Sequence, residues 1–84
     1  MDGPEWWDWE LAFTGHLELR MEQRDFTEVE LRSMLQRANS YAPSVVEDRF
    51  MIETTHRGRP WIVIVEPDLY ERLLVVVTAY ENYP

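Results

Sequence analysis

Trp61-Ile62-Val63-Ile64-Val65 and Leu73-Leu74-Val75-Val76-Val77-Thr78-Ala79-Tyr80, separated by the acidic loop Glu66-Pro67-Asp68-Leu69-Tyr70-Glu71-Arg72, decide the fold. Both runs are unbroken and rich in β-branched residues, the pattern of strands covered on both faces. Just upstream, Phe50, Ile52 and Thr54 alternate with Met51, Glu53 and Thr55, which predicts a third strand. His56-Arg57-Gly58-Arg59-Pro60 then predicts a turn, with Gly58 supplying a positive φ. The three strands form an antiparallel meander. His56, at a strand end beside a glycine turn, is expected to be exposed.

Toward the N-terminus, Trp9, Leu11 and Phe13 alternate with Glu10 and Ala12, a short half-buried strand. Thr14 is placed to cap a helix over His16–Arg24. Thr27-Glu28-Val29-Glu30 matches a capping box, and Phe26 and Leu31 occupy the positions of a hydrophobic staple, so a second helix should run to about Ala38, with Glu28 and Arg32 paired. Tyr41-Ala42-Pro43-Ser44 reads as a connector, Val45-Val46 as a brief strand pairing, and Asp48-Arg49 as a turn. The order is β-α-α-β-β-β: a two-layer α+β domain, an antiparallel sheet with two short helices on one face. Residues 1–8 form an acidic, Trp-rich segment ahead of this single domain of residues 9–84. Two short helices cannot cover both sides of the sheet, so the other face calls for the tryptophan segment, a second copy of the chain, or both.

An apolar share of 45% over 84 residues supports one modest core. Without cysteine there is no disulfide frame, thiolate metal site or Cys nucleophile, which fits a cytoplasmic setting. The opening Met1-Asp2-Gly3-Pro4-Glu5-Trp6-Trp7-Asp8-Trp9 lacks the basic and apolar regions of a secretion signal, and no apolar run is long enough to cross a bilayer. A net charge of −8 disfavours a broad RNA-binding surface, so any contact with nucleic acid has to be local. All eight bases are Arg, which suits bidentate pairing with carboxylate or phosphate and equally follows from a GC-rich genome.

The local cationic feature is His16, Arg20 and Arg24, at successive i, i+4 steps about 6 Å apart on one helix face. Leu17 and Met21 lie beside that stripe, and Glu18, Glu22 and Asp25 take the far side. The bland reading is that Arg20 and Arg24 pair with Glu47, Asp48 or Glu53 and fasten helix to sheet, with His16 a buried, hydrogen-bonded histidine. The acids Glu66, Asp68 and Glu71 read as a solvated turn around Pro67 rather than a metal or acid/base cluster. Trp6, Trp7, Trp9 and Trp61 read as core or interface residues rather than base-stacking platforms, since Lys and Arg do not surround them. The two histidines fit no metal motif, so neither metal nor cofactor is expected, and no phosphate loop or nucleophile elbow is present.

His16-x3-Arg20-Met21-x2-Arg24, Phe26-Thr27-Glu28, Arg49-Phe50, His56-x-Gly58-Arg59-Pro60-Trp61 and Val76-Val77-Thr78-Ala79-Tyr80 together resemble a family of small bacterial proteins classed as a domain of unknown function. That family is distantly similar to toxins of the RelE/BrnT type. The resemblance spans about residues 9 to 80 and implies a RelE/BrnT-like fold and a toxin–antitoxin setting. Toxins of that type are typically basic, and this chain is acidic. The first expectation is a non-catalytic interaction protein acting through a cognate protein partner or as a homodimer. The alternative is a metal-independent endoribonuclease, which needs a base, an acid and cations for the phosphorane. There His16 would move the proton, Arg20 and Arg24 would clamp the phosphate, and Tyr80 would donate a further hydrogen bond, with Arg59, His56 and Trp61 as weaker binding candidates.

Overall fold

The computed structural model describes residues 3–83. The chain begins with a 3-10 turn at Glu5–Asp8 and continues through β1 (Glu10–Phe13), α1 (Gly15–Arg24), α2 (Glu28–Gln36), β2 (Ser40–Pro43), β3 (Phe50–His56), β4 (Arg59–Asp68) and β5 (Leu73–Glu81). The five strands form one sheet in the order β1-β5-β4-β3-β2. This is the expected α+β architecture with two refinements. The strand before the meander is Ser40–Pro43, where a connector was expected, while Val45 and Val46 lie exposed in the following loop. The sheet is mixed rather than wholly antiparallel, because β1 runs parallel to β5 while the other neighbours are antiparallel.

Capping residues set the helix ends. The Thr14 hydroxyl accepts from the Leu17 amide at 3.1 Å and donates to the Val77 carbonyl at 2.8 Å, so one side chain starts α1 and ties it to β5. Asp25 ends α1 in the left-handed conformation at φ 55, and two residues after it Thr27 caps α2 with both halves of the capping box formed. The staple residues Phe26 and Leu31 are buried, and Arg32 pairs with Glu28 at 3.4 Å. Leu17 from α1 and Leu31, Met34 and Leu35 from α2 share one core with Ile52, Val63, Val65, Leu74 and Val76 of the sheet. The Thr54 hydroxyl of β3 donates to the Met34 carbonyl, which lies in the last turn of α2 and has no acceptor role left within the helix.

In β5 the inward-facing residues change parity. Ile64 pairs with Thr78 but Val65 pairs with Val76, so Val77 is an extra residue, a bulge. Leu74 and Val76 face the helices before it, and Ala79 does so after it. The tryptophan segment also packs on the helix side. Trp6 is buried with its ring 5.0 Å from Phe50 and 5.8 Å from Tyr41, and Trp7 and Trp9 lean on the same core. The segment therefore leaves the second sheet face open. There Met51, Ile64 and Thr78 stand side by side in register, half-buried, next to Ile62, which is only 2% exposed. No helix among the described residues is long and apolar enough to cross a membrane.

Candidate cationic cleft at the hairpin end

Arg57 and Gly58 form the two-residue turn between β3 and β4, at φ 54 and 74. Positive φ at both central positions is the turn whose twist matches a hairpin, and His56 and Arg59 face each other across it. The C-terminal turn of α1 ends above this hairpin. Together they line an open cleft of about 390 Å³, to which α1 and its cap give Gln23, Arg24 and Asp25, the hairpin gives His56, Arg57, Arg59 and Trp61, and β5 gives Glu81.

Two of the three guanidinium groups are already held. Arg57 donates from Nη2 to the Asp25 carbonyl at 3.1 Å and to Glu30 Oε2 at 3.3 Å, while Arg59 Nη1 donates to Glu81 Oε2 at 3.4 Å. Arg24 has no carboxylate partner among the described residues. The same is true of Arg20: the bland reading expected both to pair with Glu47, Asp48 or Glu53, and neither does, while Glu53 accepts a hydrogen bond from Ser40.

His56 is buried, at 6% exposure, and not at the surface where a strand end beside a turn had suggested it. The cause is the alternation begun by Ile52 and Thr54, which continues to His56 and turns it toward the helix layer. Its ring stands edge-on to Trp61 at 5.4 Å and to Phe26 at 6.0 Å. Nε2 lies 3.7 Å from Glu30 Oε2 and has no hydrogen bond. Burial lowers the His56 pKa first, with the positive Arg57 and Arg37 adding to that, against the opposing pull of Glu30 and Glu81. The Glu30 carboxyl is held below its ordinary range, first by the Thr27 amide and then by Arg57 and His56, against the effect of desolvation.

The remaining candidates are dispersed. His16 is exposed at the start of α1, contrary to the expectation of a buried histidine, because its neighbour Leu17 takes the core-facing position. Neither His16 nor Arg20 lines the cleft beside Arg24. Tyr80 pairs in register with Ile62 on the open sheet face, across the sheet from Trp61 and Glu81. The structure thus joins Arg24 with His56, Arg59 and Trp61, and leaves His16, Arg20 and Tyr80 outside. Arg57, Asp25 and Glu81 were not singled out as site residues. The one sequence signal for Arg57 was the glycine that follows it, which fixes a two-residue turn.

The acids around Pro67 are engaged in turn geometry and pairing. Glu66 accepts from Arg49 Nε at 3.0 Å, and Asp68 Oδ1 accepts from the Tyr70 and Glu71 amides, each at 3.0 Å.

Fold and cleft define a small two-layer α+β domain in which three arginines, Arg24, Arg57 and Arg59, meet where the first helix faces a hairpin. The chain belongs to the family described as a domain of unknown function, DUF4258, whose model matches residues 13–82, from the last residue of β1 to just beyond β5. No curated protein and no solved structure matches the chain.

Proposed function

We propose that this protein is a non-catalytic interaction component of a toxin–antitoxin-like module, acting in the cytoplasm by binding a cognate protein. The observation that carries this reading is the state of the cleft's imidazole. Metal-independent RNA cleavage needs a proton-transfer group within hydrogen-bond reach of the reacting oxygens. His56 is enclosed by Phe26 and Trp61, and His16 stands outside the cleft. The guanidinium groups can hold an anionic side chain or phosphate, but no exposed imidazole stands among them to move the proton. A charge of −8 further supports a protein partner over RNA. The half-buried open sheet face supports a second copy as an additional partner.

The alternative, a toxin-like endoribonuclease using His16, Arg20 and Arg24, is favoured by one observation: both guanidinium groups are free of carboxylates among the described residues. Incubation of the purified protein with single-stranded RNA separates the two. The expected result is intact RNA. Cleavage by wild type that is lost in Arg20→Ala or Arg24→Ala overturns the non-catalytic reading.

A further inference from the structure

At the end of the sheet away from the hairpin lies a broader groove, of about 910 Å³, whose surface is mostly apolar. It is bounded by the β2–β3 loop and the β4–β5 turn, with Trp6, Phe50 and Pro67 among its lining residues. Val46, Leu69 and Tyr70 stand at its margins with much of their surface in water. Their loops are not loose. Asp68 fixes the β4–β5 turn through two amides, Ser44 Oγ accepts from the Val46 amide at 3.3 Å, and the Arg49–Glu66 pair joins the end of the β2–β3 loop to β4 at the groove. The backbone that carries the apolar side chains is therefore pinned at both loops.

The charge on the groove is one-sided. Glu47, Asp48, Glu66 and Asp68 line it against the single base Arg49, which Glu66 already neutralises. Glu47 and Asp48 have no cationic partner among the described residues. Exposed apolar side chains beside a surplus of carboxylates are complementary to a chain segment with apolar side chains flanked by Lys or Arg.

We propose that this groove is the docking site for a basic amphipathic segment of a partner protein, an inference that rests on the interaction-protein reading and assigns it a surface and a partner chemistry. The geometry favours a protein segment over nucleic acid, whose phosphates the acidic rim would repel.

The test uses the full chain and a synthetic helical peptide of alternating leucine and lysine sectors, with the same peptide carrying glutamate for lysine as its counterpart. Binding is followed by isothermal titration and by tryptophan fluorescence, to which Trp6 contributes from within the groove. Two paired variants alter only exposed groove residues: Glu47→Gln with Asp48→Asn, which keeps a residue tolerant of the positive φ at position 48, and Leu69→Ser with Tyr70→Ser. A control pair, Glu18→Gln with Glu22→Gln, removes equal charge from α1. The expected result is binding of the lysine peptide alone, weakened at least about tenfold by each groove pair and unchanged by the control pair. Absence of binding, or equal weakening by the control pair, overturns the proposal. So does concentration-dependent self-association that the groove variants abolish, which would assign the groove to a second copy. RNA cleavage overturns the non-catalytic reading and is read in a separate assay, so the two failures are distinguishable.

Discussion

His56 is the residue whose surroundings have the clearest measurable consequence. Its pKa is lowered from 6.5 in the fold, chiefly by burial, so the unfolded chain takes up a proton at a pH where the folded chain does not. The stability tied to its neutral form is fully present above pH 6.5 and is lost as pH falls below that value toward the folded pKa. Glu30 acts in the same sense at lower pH: its lowered pKa gives stability that is present above 4.5 and lost as pH falls through the folded value. Urea-unfolding midpoints should therefore fall between about pH 7 and about pH 5.5, before the carboxylates titrate, and the decline over that window should flatten in His56→Phe. An equally steep decline in the variant would show that His56 does not control it. The placement of His56 was legible in the sequence, since Ile52, Thr54 and His56 keep one alternation. A strand end beside a glycine pointed the other way, and the rings of Phe26 and Trp61 decided the matter.

At the level of elements, one buried hydroxyl ties the end of α2 to the sheet. The last carbonyls of a helix have no acceptor role inside it, and the Met34 carbonyl is met by Thr54 from β3. Thr54→Val keeps the shape of the side chain but strands that carbonyl in a buried site. It should lower the unfolding free energy by about 1–3 kcal/mol, measured by urea denaturation with an unchanged m value. A loss within about 0.5 kcal/mol would mean that the carbonyl finds another donor. The helices themselves were readable from short stretches: Thr14 caps α1, and Thr27 with Glu30 closes the capping box of α2. The brief strand was misplaced because Ser40–Pro43 has no alternating apolar pattern. It is an exposed edge held by its ladder to β3, and Val45-Val46, the more strand-like pair by composition, falls in the loop.

For the molecule as a whole, the tryptophan segment is spent on the helix side and the other sheet face is left to its own side chains. We propose that a second copy covers that face. Sedimentation should then report a dimer, and Ile64→Lys, at a half-buried open-face position, should shift it to monomer while the circular dichroism spectrum is retained. A wild-type monomer at high concentration would remove this expectation. Dimerisation through the open face should survive the substitutions in the acidic groove, which lies at the end of the sheet.

The sequence by itself determined the elements and most of their order, because caps, staples and alternation act between residues a few positions apart and leave their pattern in the local chain. Tertiary structure alone decided which side chains meet. The cleft joins α1 to a hairpin more than thirty positions further along the chain, as in the hydrogen bond from Arg57 to the Asp25 carbonyl. The extra residue at Val77 shifts every later side chain of β5 to the opposite face. Such placements depend on packing between distant segments, and no run of neighbouring residues carries that information.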